Sequence, residues 1–171
     1  KKLDVREHDA LCAIYTRDYG KIKALAQGVH KEEAKLRGHL EPLSLSRIQF
    51  VIGRGGEKLI GATLANFFPR LRSREHTLGL ATAIAAEIDA QCFPGERDEG
   101  VWQLLTETFA ALDREDFSDE QTMAFVADFR GRLGERLGYG ASDDGGETPR
   151  EKMLDHTSAS RHRAGATGGF L

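Results

Sequence analysis

Residues 10–28 read Ala10-Leu11-Cys12-Ala13-Ile14-Tyr15-Thr16-Arg17-Asp18-Tyr19-Gly20-Lys21-Ile22-Lys23-Ala24-Leu25-Ala26-Gln27-Gly28. Two runs of β-compatible residues, 10–16 and 21–27, flank Arg17-Asp18-Tyr19-Gly20, a four-residue loop whose glycine can take a positive φ. In the second run Ile22, Ala24 and Ala26 alternate against Lys21 and Lys23, so a period of two turns an apolar face inward and both lysines outward. This is a β-hairpin with a basic outer face. Beyond it, residues 43–52 read as a further strand, Gly53-Arg54-Gly55-Gly56 as a turn, and residues 58–66 as a returning strand with Ile60, Ala62 and Leu64 on its inner face. Residues 30–38 are charged and broken by Gly38, as in a loop or a single helical turn. Short strands joined by glycine turns, with cations at alternate positions and in the loops, describe a small β-barrel suited to a phosphate backbone.

After Pro69 the apolar period lengthens to that of helices. Leu78, Ala81, Ala85, Ile88 and Cys92 make one stripe, and Trp102, Leu105, Phe109 and Leu112 a second. A third helix is predicted to start at Ser118, where Ser118 and Gln121 fit a capping box, and to carry Val126, Phe129, Leu133 and Leu137 on one face until Gly138 stops it. From Ala141 the composition falls to Gly, Ser, Asp and scattered basic residues, which predicts a flexible tail. The expected organisation is α+β: a barrel over residues 1–70, a helical domain over 71–140 and a tail over 141–171.

Composition narrows the function classes. The 171 residues are 40% hydrophobic and 30% charged, as in a globular protein. No apolar run approaches the roughly 20 residues of a membrane-spanning helix, and Lys1-Lys2-Leu3-Asp4 has no apolar signal core, so a cytoplasmic location is expected. Cys12 and Cys92 stand far apart beside apolar residues and read as buried small hydrophobes; neither a disulfide framework nor a cysteine metal site is expected. The net charge of −3 hides an asymmetry: residues 1–74 hold 15 Lys/Arg against 8 Asp/Glu, and residues 75–171 hold 9 against 19. A basic half joined to an acidic half fits a polyanion-binding domain fused to an acidic helical one.

The candidate nucleic-acid contacts are therefore Arg17, Lys21, Lys23, Lys31, Lys35, Arg37, Arg54 and Lys58, each on an outward strand position or a loop where it can neutralise a phosphate. Tyr19 lies among them and can stack an unpaired base. Tyr15 alternates with Ala13 and Leu11 and is better placed as a core or rim residue. Enzyme readings fare poorly. Gly53-Arg54-Gly55-Gly56-Glu57-Lys58 lacks the Gly-Lys-Ser/Thr ending of a phosphate-binding loop and opens a strand where that loop opens a helix. The histidines show no ligand spacing, and Asp155, His156 and His162 fall in the predicted tail. No catalytic residue and no cofactor is expected.

The ordered set Tyr15-Thr16-Arg17, Tyr19-Gly20-Lys21, Gln27-Gly28, Leu36-Arg37-Gly38, Glu41-Pro42-Leu43, Gly53-Arg54-Gly55, Phe67-Phe68-Pro69 and Leu137-Gly138-Tyr139-Gly140 resembles the RecO family of recombination mediators. The resemblance implies an OB-fold N-terminal domain followed by helices. It also implies binding of single- and double-stranded DNA, annealing of complementary strands, and work with RecR and the single-stranded DNA-binding protein to load recombinase. In the family that last protein's C-terminal tail docks on the helical domain. Matching the helix before Leu137 places this docking near Phe125, Phe129, Arg130, Arg132 and Arg136. Two departures stand out: family members carry a further apolar strand ahead of the segment that begins at Lys1, so the barrel is expected to be trimmed or incomplete, and the zinc cysteine cluster of many relatives is missing. The competing reading is an OB-fold adaptor that recruits RecR or the single-stranded DNA-binding protein without annealing DNA, since this fold serves both uses.

Overall fold

The computed structural model describes residues 1–5, 7–30, 36, 38–139 and 163–170, with the side chains of Asp119, Arg163 and Ala164 set aside. Its elements in chain order are β1 (Lys2–Asp4), β2 (Ala10–Thr16), β3 (Gly20–Ala26), β4 (Leu45–Gly53), β5 (Gly56–Asn66), α1 (Pro69–Ser73), α2 (Glu75–Gln91), α3 (Glu99–Arg114), α4 (Asp119–Arg136) and β6 (Arg163–Phe170). The hairpin forms as its sequence directs. β2 and β3 pair antiparallel from Ala10↔Ala26 to Thr16↔Gly20, and Gly20 takes φ 62°, where an added Cβ would lie 1.9 Å from the Glu96 carbonyl oxygen.

Neighbouring strands run β2, β3, β5, β4, β6 and back to β2, which closes a five-stranded barrel, and β1 extends the edge of β2. The β3–β5 pairing is parallel, through Ala24↔Glu57 and Leu25↔Lys58; the other pairings are antiparallel. This is the partly local, partly crossed strand order of an OB-type Greek-key barrel. Inward residues Ala10, Cys12, Ile14, Ile22, Ile48, Phe50 and Leu59 fill it, and Val29 and Leu40 pack into the same core.

The structure departs from the sequence expectation in two places. Simple alternation puts Ile60 on the inner face of its strand with Ala62 and Leu64, yet Ile60 is 57% exposed while Leu59 is buried. The cause is a register shift: Gln49 pairs with Gly61 but Phe50 with Leu59, so one extra residue bulges out and reverses the alternation. The second departure is in residues 141–171, predicted to be flexible. Residues 141–162 lie outside the described residues, but 163–170 form β6, paired with β4 over eight positions and with β2 at Tyr15↔Phe170 and Thr16↔Gly169.

The glycines that make this segment look like linker are required by packing. A Cβ at Gly169 would stand 2.7 Å from Ile14 Cγ2, and one at Gly165 2.8 Å from the Tyr19 ring, so only small residues let the strand pass between β4 and β2. β6 lies between β4 and β2 and closes the five-stranded ring of the described residues.

The helices follow their stripes. Ser118 accepts from the Gln121 amide and the Gln121 side chain accepts from the Ser118 amide, completing the capping box at α4, and Gly138 sits just past it at φ 80°. Leu71, Ile84, Leu105, Phe109, Leu112, Phe129 and Leu133 make the helical core. Tyr15 and Phe170 enter this second core from the outer face of the barrel, Phe170 against the rings of Phe68, Trp102 and Phe109. β6 thus packs small residues inward and one large ring outward, and belongs to both cores.

Candidate nucleic-acid interface

The alternation of β3 puts Lys21 and Lys23 on the same outer side, and the helices then separate their fates. Lys21 is 11% exposed, its Nζ 2.6 Å from Asp89 Oδ1 and also donating to the Asp89 backbone carbonyl. The Lys21 hydrogen bond holds the Asp89 carboxyl below its usual pKa range. The Lys21 charge is committed to α2, which takes it out of the set of cations open to a phosphate. Lys23, two residues on, is exposed and clear of the helix.

Lys23 leads to an open wall of the barrel. Lys58 stands opposite Leu25 on one side and Val51 on the other, about 7 Å along the strand from the level of Lys23. Arg54 caps the β4–β5 turn next to it. Arg47, absent from the sequence-predicted set, points outward four positions from Val51, roughly 13 Å along β4. Its signal is present in the sequence: in Ser46-Arg47-Ile48-Gln49-Phe50 the same alternation that buries Ile48 and Phe50 exposes Arg47 and Gln49. All four cations are exposed, and among the described residues none has an ion-pair partner. Exposed Ile60, lifted by the bulge, lies between Lys58 and Thr63 on this wall.

The other selected residues divide. Arg17, at the hairpin tip, is more than half exposed but its Nε lies 3.3 Å from Asp18 Oδ1, so part of its charge is offset. Asp18 in turn accepts from the Thr167 hydroxyl at 2.7 Å, which lowers its pKa and ties the tip to β6. Tyr19 packs edge-on against Phe50 at 5.0 Å and serves the barrel end more than solvent. Tyr15 is buried, and burial raises its phenol pKa well above the usual value. Lys31, Lys35 and Arg37 lie outside the described residues.

The residues selected for partner docking on α4 do not assemble into an apolar pocket ringed by free cations. Phe129 is in the helical core and Phe125 packs half-buried on Phe117, with ring centroids 4.8 Å apart. Arg130 pairs with Glu87 at 3.0 Å and Arg132 with Glu107 at 2.7 Å, the latter hydrogen bond raising the guanidinium pKa. Arg136 lies across Gly100 of α3. Met123, 73% exposed, is the large apolar side chain that this helix presents to solvent.

A cavity of about 490 Å³ opens at the junction of barrel and helices, lined among others by Tyr15, Lys21, Ala85, Asp89 and Phe109. Its walls are mostly apolar and its Lys21–Asp89 pair is already satisfied. Cys12 and Cys92 are both buried, and burial raises both thiols, Cys92 to about 11. Among the described residues no cluster of three or more His, Cys, Asp or Glu is placed to hold a metal ion, and no helix is long and apolar enough to cross a membrane.

The family described as Recombination protein O N terminal matches residues 1–68. The chain is 25% identical over 170 residues to the DNA repair protein RecO of Geobacter metallireducens, covering 99% of this chain and 66% of that protein. It is 26% identical to the protein of the same name from Geobacter sulfurreducens, covering 99% and 67%. Against that of Pelotomaculum thermopropionicum the identity is 31% over 109 residues, 64% of this chain and 43% of that protein. The chain therefore spans about two thirds of the length of the Geobacter relatives.

Proposed function

We propose that this chain is a member of the RecO family, whose N-terminal domain matches residues 1–68, and that it serves DNA repair and recombination by holding nucleic-acid strands on the open wall of its barrel. The observation that carries this reading is the set Lys23, Arg47, Arg54 and Lys58: four exposed cations on three adjacent strands and their turn, with no carboxylate among the described residues committed to them. Each phosphate bound there releases a condensed counterion, which supplies affinity without reading sequence. Exposed Ile60 lies among the cations, where it can pack against an unstacked base.

Annealing needs no reacting group. A surface that neutralises two backbones lowers their repulsion and raises the local strand concentration, and base pairing then supplies the free energy. In this reading the protein is not an enzyme, needs no cofactor and works in the cytoplasm with both single- and double-stranded DNA. RecR and the single-stranded DNA-binding protein are its protein partners, and loading of recombinase onto coated strands is the outcome. Half-buried Phe125 and exposed Met123 are the apolar groups on α4 that a docked partner tail would use, with Arg130 and Arg132 released from their carboxylates to meet its acidic groups.

The test is fluorescence anisotropy of a labelled single strand across a salt series, for the parent chain and for the variant with Lys23, Arg47, Arg54 and Lys58 all changed to Ala. Affinity linear in log salt, with a shallower slope in the variant, supports the proposal. A parent chain that fails to bind at low salt removes direct DNA contact and leaves the adaptor reading.

A further inference from the structure

β5 ends in a turn that sends two neighbouring aromatic rings in different directions. The Asn66 side chain accepts from the Phe68 amide at 2.9 Å, and Phe68 takes φ 53° and ψ 65° ahead of Pro69, the first residue of α1. Phe68 then lies buried against the rings of Phe109 and Phe170, while Phe67 stays 42% exposed. Arg72 of α1 lies over the exposed ring, with its guanidinium carbon 4.1 Å from the ring centroid. Its Nε donates to the Phe67 carbonyl at 2.7 Å, and its Nη2 donates to the Pro42 carbonyl.

The backbone singles out those two carbonyls. Among the described residues the non-glycine positions with positive φ are Leu43 at 58° and Phe68 at 53°, and each directly follows a carbonyl that Arg72 holds. A left-handed backbone at leucine or phenylalanine is unfavourable and persists where the surrounding contacts over-determine it. Here one guanidinium fork ties both bends together and backs the Phe67 ring. Burial lowers the Arg72 pKa and the Glu41 carboxylate works against that shift, so this cation is already engaged by a ring, two carbonyls and an acid. Arg72 is therefore a positioning residue for Phe67, distinct from the cations left open to a phosphate.

The ring stands at one end of the open wall. Thr63 pairs with Arg47 and Asn66 with Leu45, which places Phe67 roughly 10 Å along the strand direction from the level of Arg47. Phe93 and Tyr139 are also exposed, but among the described residues neither carries a guanidinium over its ring, and Phe93 leads into the acidic stretch Glu96-Arg97-Asp98-Glu99. We infer that Phe67, held by Arg72, is a stacking platform for an unpaired nucleotide base at the Arg47 end of the cationic wall. This rests on the nucleic-acid reading of that wall and adds to it a preference for single strands. A duplex keeps its bases stacked inside and offers the ring none, whereas a single strand can turn a base onto it.

The test uses the full 171-residue chain and three labelled probes of equal length: oligothymidine, the same sugar-phosphate chain without bases, and a duplex. Phe67→Ala should weaken oligothymidine binding about fivefold or more, as for the loss of one base–aromatic stack, and leave the salt slope unchanged. Binding of the other two probes should move by less than about twofold. Phe67→Trp should retain the affinity, and the emission it adds should be quenched by oligothymidine and not by the abasic chain. Arg72→Lys keeps the charge and loses the fork, so it should also weaken oligothymidine selectively. Parent-like oligothymidine binding by Phe67→Ala, a loss shared equally by all three probes, or unquenched emission from Phe67→Trp would each overturn the platform and leave the cationic wall standing. A parent chain that binds none of the probes at low salt would overturn both.

Discussion

The barrel has a covered wall and an open wall, and Lys21 and Lys23 show how close together they lie. Both lysines belong to β3, both point outward, and the same alternation in the sequence places them. On the covered wall, formed by Ala13, Tyr15, Lys21 and Phe170, the helices supply apolar rings and one carboxylate, so charge is neutralised and surface is buried. On the open wall, formed by Lys23, Arg47, Arg54 and Lys58, nothing in the described residues answers the charge. A basic sequence pattern locates cations on a face, while the packing of the next domain selects which of them remain available to a partner.

The largest effect that would erase this contrast is on the covered wall. Phe170→Ala removes a ring buried against Phe68, Trp102 and Phe109 and should cost about 3–5 kcal/mol in urea unfolding. A cost below about 1 kcal/mol would mean that β6 does not contribute to the helical core. Next comes the open wall: changing Lys23, Arg47, Arg54 and Lys58 to Ala should make the slope of log affinity against log salt shallower by about 3 for single strands, at roughly 0.7 per phosphate contact. Stability in that variant should move by less than about 0.5 kcal/mol, as at unpaired surface positions.

Lys21→Ala should give the reverse pattern. It leaves Asp89 without its donor and is expected to lower stability by on the order of 1–2 kcal/mol while the salt slope of DNA binding stays at the parent value. A slope that fell as far as for Lys23→Ala would dissolve the distinction between the walls. The smallest effect is in pH. The Asp89 carboxyl titrates below its ordinary value of 3.8, so its contribution is fully present above that value and is lost as pH falls through the lower folded pKa. Melting temperatures measured from about pH 5 down to about pH 2 should fall less steeply for Asp89→Asn than for the parent, and equal slopes would show that the pair carries no pH-linked stability.

Much of the fold is legible in the sequence. The β2–β3 hairpin, the turn at Gly53–Gly56, the capping box at Ser118 and the stop at Gly138 depend on residues within a few positions of one another, where backbone sterics and local hydrogen bonds decide. What escapes such a reading depends on distant partners. The bulge at Ile60 is a property of the pairing with Gln49 and Phe50, which sit on another strand. β6 reads as tail because Gly165, Gly168 and Gly169 lower its strand propensity, and only the closeness of Ile14, Tyr19 and Trp102 explains why glycine stands there. In the candidate interface, Lys23, Arg54 and Lys58 follow from alternation and turn position. Arg47 obeys the same rule without a neighbouring lysine to draw attention to it, and the commitment of Arg130 and Arg132 to Glu87 and Glu107 is invisible in one helix alone.

Neighbouring residues were enough to settle the element types of β2 to β5 and α2 to α4, the inward and outward faces of most of those strands and the basic character of the first half, because period, capping and charge are local properties. Tertiary structure alone decided which strand closes the barrel and which lysine is free. Those outcomes rest on contacts between residues as far apart as Thr16 and Gly169 or Lys21 and Asp89, and no local pattern encodes the partner of a residue that only folding brings near.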